Sequence, residues 1–195
     1  YAVLDRAYKA NSGETMVRII AKDGKKYEYE LSDATNADPD KIIEKLVTAQ
    51  EKKDWSDRLA DVPMSDRIVD YSLTSGNKIK IKAKGDISIN NYADAEYKAS
   101  TKRIGGKKVD DSTVVLDLSD WYKTGSDAAA LVSASSFVDG SKYGVTVAYD
   151  KSTSSASDAV PFVAVYEGFS GWSSDTQMAV VSKKMSTSED GQNRT

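Results

Sequence analysis

Apolar and polar residues alternate with a period of two along much of this chain, which is typical of half-buried β-strands. Residues 25–31 show the alternation cleanly, with two tyrosines and a leucine on one face and charged residues on the other. The preceding run, residues 15–21, is apolar and rich in β-branched residues, and Asp23-Gly24 separates the two runs. Because Asp-Gly tolerates the positive φ angles of a type I′ turn, the pattern predicts a β-hairpin here.

The hydrophobic period changes to that of a helix after Asp38-Pro39. Asp38 can cap the free N–H groups of a helix, and Pro39 suits the first helical position. Four apolar residues then fall on one stripe at helical spacing: Ile42, Ile43, Leu46 and Val47. The sequence therefore predicts one α-helix near residues 39–53.

A second hairpin is predicted around Ser75-Gly76, where the alternation returns. In its second arm, isoleucines alternate with Lys78, Lys80 and Lys82, so the lysines are expected to face water. This arm completes a β-rich first domain with one helix over residues 1–91. Its content of about five strands and one helix is compatible with a small, partly open barrel.

Short strands separated by turn signals continue towards residue 182. The clearest are residues 113–118, 143–149 and 160–166, whereas residues 121–134 are compatible with either a short helix or a loop. Regularly spaced short strands favour an all-β second domain, sandwich- or barrel-like, over residues 92–182. The predicted fold class is mainly β, arranged as two small β domains.

The opening of the chain has an echo near its end. Ala2-Val3-Leu4 begins 11 residues before Gly13, and Ala179-Val180-Val181 begins 12 residues before Gly191, with a polar run between them in each case. We interpret the chain as one repeating unit plus the opening of the next, taken from a longer multi-domain protein. Residues 183–195 are then the truncated start of a repeat or a flexible tail.

The amino-acid composition excludes several kinds of functional site but says less about the fold. Hydrophobic residues make up 39% and charged residues 29% of the chain, which is the profile of a folded domain rather than a disordered one. The net charge of −3 gives no reason to expect nucleic-acid binding, which needs a basic surface. The chain has no cysteine and no histidine, which excludes disulfides, thiolate or imidazole metal sites and Ser-His-Asp triads within it. No apolar run approaches the roughly 20 residues that span a bilayer.

Carboxylates remain as candidate catalytic groups. Asp110, Asp111, Asp117 and Asp120 lie close together in sequence, and glycoside hydrolysis needs two acids at a set separation. Aspartates in such positions are also typical of the turns that flank a strand. We favour the turn interpretation and predict no catalytic residues.

One segment resembles the start of a calcium loop. Asn36, Asp38 and Asp40 have the alternate spacing of oxygen ligands with which an EF-hand loop begins. However, Lys41 and Val47 stand where that loop requires glycine and glutamate. Glycine-rich motifs for phosphate or dinucleotide binding are also missing from the sequence. We therefore expect neither a metal nor a cofactor.

Aromatic residues in turn-like stretches are the first candidates for ligand binding: Trp121, Tyr122, Phe169 and Trp172. Aromatic rings in loops can stack on sugar rings or anchor a protein interface. They can equally plug the ends of a β-sandwich, and we favour plugging.

The lysine stripe of Lys78, Lys80 and Lys82 is the second candidate. Such a stripe can face an anionic polymer, such as a cell-wall glycan with acidic groups. It can equally be an exposed sheet face, or an edge strand that lysines protect from unwanted pairing, and we favour this second interpretation.

The strand-rich pattern also resembles a known class of protein. Residues 113–118, 143–147 and 160–166, and the return to a strand at residues 178–181, are similar to the β-rich repeat region of S-layer-type surface proteins of Gram-positive bacteria, which S-layer homology domains anchor. The anchoring module itself is not visible in this sequence. The resemblance implies an extracellular, cell-surface location and a structural or adhesive role.

These observations favour a non-enzymatic structural module that acts in spacing, assembly or presentation at the cell surface. Neighbouring surface-protein domains or cell-wall glycan are the expected partners. The alternative is a module that binds carbohydrate or a cell-wall polymer through the loop aromatics or the lysine stripe. A glycan-cleaving enzyme remains a third hypothesis, through the carboxylates alone.

Overall fold

The computed structural model describes residues 1–33, 37–51, 54–82, 84–126, 128–153 and 156–169. Three parts of the sequence predictions therefore lie outside the described residues. They are Trp172, the predicted strand at residues 178–182 that echoes the opening of the chain, and residues 183–195.

The described chain contains short strands and four α-helices. The strands are β1 Ala2–Lys9, β2 Thr15–Ile20, β3 Lys26–Glu30, β4 Ile68–Val69, β5 Tyr71–Leu73, β6 Ile79–Ile81, β7 Ile87–Lys98, β8 Arg103–Ile104, β9 Lys107–Lys108, β10 Val114–Asp117, β11 Ala130–Val132, β12 Lys142–Asp150 and β13 Phe162–Glu167. The helices are α1 Ala37–Ala49, α2 Trp55–Asp61, α3 Met64–Arg67 and α4 Ser119–Thr124.

The strands form three sheets, which confirms the predicted mainly β class. A four-stranded sheet has the order β3-β2-β1-β4, a seven-stranded sheet has the order β11-β10-β13-β12-β7-β8-β9, and β5 pairs with β6. Among the named strands, β10 and β13 form the one parallel pair. None of these sheets closes into a barrel, so the barrel-like form predicted for the first domain is not observed.

The predicted hairpin of β2 and β3 is confirmed, but its turn differs from the prediction. Asp23 does not have a positive φ, whereas Gly24 has a φ of 76°. The N–H of Gly24 donates to Ala21 O, and the N–H of Ala21 donates to Lys25 O, both at 2.9 Å. This is a three-residue loop that ends in a left-handed residue, so only Gly24 needs the conformational freedom of glycine.

The same three-residue loop joins β5 to β6. There the left-handed residue is Asn77, with a φ of 58°, rather than a residue of the predicted Ser75-Gly76 turn. The N–H of Asn77 donates to Thr74 O at 2.9 Å, and the N–H of Thr74 donates to Lys78 O at the same distance. Asparagine is among the few other residues that tolerate this conformation, which explains why the loop closes one position later than predicted.

The structure has more helix than the sequence predicted. Helix α1 covers most of the predicted span but ends earlier, where the N–H of Glu51 donates to Thr48 O and tightens the last turn. Helix α2 lies within residues 55–63, where the sequence allows a further turn of helix before Pro63. Helix α3 was not predicted, and α4 occupies part of the ambiguous 121–134 segment. All three are seven residues or shorter, too short to show a clear helical period in the sequence.

The four-stranded and seven-stranded sheets pack face to face. Val3 and Ile20 of the smaller sheet share one buried cluster with Leu116, Ala148 and Phe162 of the larger sheet. Each sheet is also covered on its other face. Helix α1 packs through Ile43 and Leu46 against one sheet, and a cluster that includes Phe137 and Phe169 covers the other. Strands buried on both faces lose the apolar/polar alternation, as in β13.

The predicted boundary between residues 91 and 92 falls within β7, which runs without interruption from Ile87 to Lys98. The cluster between the two sheets also joins residues on both sides of that boundary, such as Ile68 and Phe162. The division into two domains stays a prediction.

Candidate functional site

Two of the predicted ligand-binding aromatics are buried in the core. Trp121 has 0% exposure, and Phe169 has 7%. Phe169 stacks on Phe137 with the ring centroids 5.3 Å apart and also contacts Tyr143. These two residues therefore fill the interior, as the plugging interpretation predicted, and their faces are not open to a ligand.

Trp121 is part of a buried polar cluster that links the smaller sheet to helix α4. Its indole N–H donates to Oδ1 of Asp5 at 2.6 Å, and Asp5 is only 3% exposed. Oδ2 of the same carboxylate accepts a hydrogen bond from Arg18, and Lys26 Nζ lies 3.6 Å from Oδ1. We call these residues, together with Arg67, the Asp5 cluster.

Arg67 is a further charged member of the Asp5 cluster and is 1% exposed. It donates hydrogen bonds to backbone carbonyl oxygens at 2.7–3.2 Å, those of Val62, Leu4, Asp5 and Arg58. Its guanidinium also lies 5.5 Å from the ring centroid of Trp121 and 5.6 Å from that of Trp55. Since an unpaired buried charge is costly, this full set of acceptors and ring faces is what allows Arg67 to be inside the protein.

Burial lowers the pKa of Arg67 to about 10, and the nearby charge of Asp5 opposes that shift. When a base has a lower pKa in the folded state than in the unfolded chain, folding disfavours its charged form. The charged guanidinium therefore lowers the stability of the fold at every pH below about 10, and this cost declines only as the pH rises above that value. The Asp5 cluster is accordingly a structural linkage with an electrostatic cost.

Tyr122, the third predicted aromatic, lies in an open groove between α2 and α4. We call this the aromatic groove: the half-buried Trp55 and Tyr122 line it with Tyr166, and its volume is about 510 Å³. The rings of Tyr122 and Tyr166 are 4.8 Å apart, and the indole N–H of Trp55 donates to Tyr122 O at 2.8 Å. Asn91 and Lys123 add polar groups to the lining. An apolar concave surface with a few polar groups is suited to a small ligand.

The lysine stripe is largely neutralised by acids. Lys78 Nζ lies 2.5 Å from Oε1 of Glu30, which raises the pKa of Lys78, and Lys82 Nζ lies 2.9 Å from Oδ2 of Asp70. Lys80 forms no ion pair with any described residue. Two of the three lysine charges are thus paired with acids of the protein itself, which favours the exposed-sheet interpretation of the stripe.

The candidate catalytic carboxylates have local roles. Oδ1 of Asp110 accepts hydrogen bonds from the side chain and the N–H of Ser112, which lower the pKa of Asp110. Oδ1 of Asp117 accepts a bond from the N–H of Ser119 at the start of α4. These are the bonds of turn aspartates.

A basic cavity at the hairpin of β8 and β9 was not predicted from the sequence. Arg103, Lys107 and Lys108 line this basic cavity together with Tyr149 and the carboxylate-bearing Asp158, and its volume is about 110 Å³. Gly105-Gly106 forms the two-residue turn, with φ angles of 54° and 76°. The two adjacent glycines are the signal in the sequence, because a two-residue loop fixes the register and puts Arg103 opposite Lys108.

Tyr149 marks the electrostatic character of this basic cavity. Its phenolic oxygen accepts hydrogen bonds from Lys107 Nζ at 2.9 Å and from Asn90 Nδ2 at 3.1 Å. The bond from Lys107 is the main cause that lowers the pKa of Tyr149, with further contributions from Asn90 and Ser88. Lys107 Nζ also lies 4.3 Å from the centroid of the Tyr149 ring. The site thus favours negative charge.

Within the part of the chain that the structure describes, no three acidic residues lie close enough together to hold a metal ion. None of the described helices is long and apolar enough to cross a membrane. No protein-family model, curated protein sequence or solved structure matches this chain.

Proposed function

We propose that this chain is a non-enzymatic structural module of a bacterial cell-surface protein of the S-layer type. It acts in spacing, assembly or presentation outside the cell, next to neighbouring domains of the same surface protein. The observation that carries this proposal is the Asp5 cluster, because it fixes the first strand to helix α4, which follows a strand of the larger sheet, through a hydrogen bond between residues 116 positions apart.

Packing supports the same function. The sheet face that holds Val3 and Ile20 lies against the face that holds Phe162, and these three residues are buried. A domain can act as a spacer when it has its own core and a linker to the next domain. The buried linkage and the layered sheets supply such a core.

Labelling of intact cells tests the location. Cells that produce the parent protein are treated with an amine-reactive reagent that does not cross membranes, and the labelled proteins are identified after separation of wall, membrane and cytosol. We expect labelled exposed lysines, such as Lys45 of α1, and recovery with the wall fraction. Labelling that appears only after lysis, with recovery from the cytosol, overturns the proposal.

The aromatic groove favours a second function, the binding of carbohydrate from the cell wall. Trp55, Tyr122 and Tyr166 bring three rings to one open concave surface, and aromatic faces suit sugar rings. This is the carbohydrate-binding alternative, located at a groove that includes one of its predicted residues, Tyr122.

Tryptophan fluorescence tests this alternative, since Trp55 lines the groove. We expect cell-wall oligosaccharides to change the emission of the native chain and of a Tyr27→Ala control, whose tyrosine is exposed outside the groove. Tyr122→Ala is expected to abolish the change. A silent response across a panel of glycans, or equal responses from the two variants, removes the carbohydrate function and leaves the structural one untouched.

A further inference from the structure

Three adjacent strands of the larger sheet place three cations directly opposite one another. Lys98 of β7 pairs with Arg103 of β8, and Arg103 pairs with Lys108 of β9. Residues in direct register across antiparallel strands lie on the same face, and like charges in that position destabilise a sheet. This repulsion lies at the hairpin that borders the basic cavity.

The cations that line the basic cavity are not neutralised by ion pairs. None of Arg103, Lys107 and Lys108 forms an ion pair with a carboxylate of the described chain. Asp158 lines the basic cavity, and its carboxylate accepts a bond from Ser157 Oγ at 3.4 Å. Three cations therefore face one carboxylate around the cavity.

Neutral groups hold the cations in place without using all their donors. Arg103 donates to Gly106 O at 2.7 Å and to Ala156 O at 2.5 Å, and Lys108 Nζ donates to Ser157 O at 3.1 Å. An arginine has five N–H donors and each lysine has three, so several remain for a ligand. Strand β9 is also held on its other side, since the N–H of Val160 donates to Lys108 O at 2.9 Å.

We propose that the basic cavity is a binding site for a phosphate group, either as the free ion or as a monoester on a larger molecule. Its volume of about 110 Å³ is well below the roughly 300 Å³ of a drug-sized pocket and is suited to a small ion. Cations on two strands suit a dianion with oxygens in several directions better than a planar carboxylate. The lowered pKa of Tyr149 reflects the same positive surroundings. This site is separate from the aromatic groove and does not depend on the structural function.

Thermal unfolding with and without inorganic phosphate tests the proposal, because a ligand that binds only the folded state stabilises it. Sodium chloride at matched ionic strength controls for general salt effects. We expect phosphate to raise the melting temperature of the native chain. Lys108→Gln is expected to melt at least as high as the native chain without phosphate, since it relieves the repulsion with Arg103, and to respond far less to phosphate.

Titration calorimetry then gives the size of the effect. Lys108→Gln is expected to weaken phosphate binding about tenfold, which is the loss of one hydrogen bond to a charged group. Lys45→Gln is the matched control, because Lys45 is an exposed lysine on α1 away from the cavity, and it is expected to bind as the native chain does. Glycerol phosphate distinguishes the source: equal binding indicates a phosphate group on a larger molecule, and binding of inorganic phosphate alone indicates the free ion.

Three results overturn the proposal. The first is a native chain that shows no calorimetric binding at millimolar phosphate. The second is stabilisation by sodium chloride equal to that by phosphate. The third is a Lys108→Gln variant that stays folded, as judged by circular dichroism, and binds phosphate as tightly as Lys45→Gln does.

Discussion

Asp5 links β1 to β2 and to helix α4 through its carboxylate. It follows the apolar run of residues 2–4, at a point where the register between β1 and β2 shifts. Its carboxylate receives the indole of Trp121 and the guanidinium of Arg18, so both oxygens have donors in the interior. A charged residue in a strand is ordinarily assigned to the water-facing side, and the sequence pattern therefore contained no signal for this role.

Asp5→Asn is expected to destabilise the protein strongly. The substitution keeps the shape of the side chain but removes the negative charge that pairs with Arg18 and offsets the charge of the buried Arg67. Removing one partner of a buried charged pair costs about 3–5 kcal/mol, so we expect a loss of that size in the free energy of unfolding, measured by urea denaturation at neutral pH.

Asp111→Asn is the matched control for this loss. Asp111 is an exposed turn aspartate, and exposed substitutions usually change stability by about 0.5 kcal/mol or less. Equal stabilities of the two variants contradict the structural role given to Asp5.

At the scale of elements, local patterns predicted the strands well and their partners poorly. The alternation or apolar character of β3, β12 and β13 identified each of them from the sequence. The pairing of β4 with β1 and the parallel pairing of β10 with β13 were not predicted, because both join distant segments and leave no local pattern. The candidate sites divide in the same way: Tyr122 was found from local character, whereas the basic cavity depends on the register that a turn imposes.

The end of α4 shows how one residue positions two elements. Gly125 ends the helix in the left-handed region, with a φ of 68°, and its N–H donates to Trp121 O. A Cβ on Gly125 would lie 2.7 Å from the ring of Trp55 in α2. The glycine thus serves both the helix end and the close approach of the aromatic groove.

Gly125→Ala and Gly140→Ala separate these two effects. Gly140 has a similar φ of 74°, but a Cβ there meets nothing within 4 Å. The free energy of unfolding of Gly140→Ala should therefore fall only by the cost of the left-handed conformation, about 1–2 kcal/mol. That of Gly125→Ala should fall by about 1–3 kcal/mol more, which is the cost of overpacking, and the fluorescence of Trp55 should shift. Urea denaturation gives both values, and equal losses in the two variants contradict the proposed contact.

At the scale of the whole molecule, the buried cluster between the sheets is the main structural fact that the sequence did not reveal. Both sheets are apolar on two faces, and the sequence alone does not state which face meets which. Two independent domains were the simplest arrangement of two strand-rich halves. The shared cluster of Val3, Ile68 and Phe162 instead predicts that the halves stabilise each other.

Separate expression of residues 1–91 and 92–195 tests this expectation. Each fragment exposes one side of the shared cluster and contains only part of β7, so we expect neither to show a cooperative unfolding transition or dispersed amide signals. The intact chain should unfold in a single transition. Two fragments that each fold and unfold cooperatively support the two-domain prediction and contradict the mutual dependence.

The bond between Asp5 and Trp121 also sets an order of events during synthesis. Asp5 leaves the ribosome 116 residues before its partner, and Tyr1 meets the ring of Phe162 only near the end of the described chain. Contacts of such long sequence separation form slowly. The hairpin of β1 and β2 can therefore form early, whereas its packing against the larger sheet waits until most of the chain has left the ribosome.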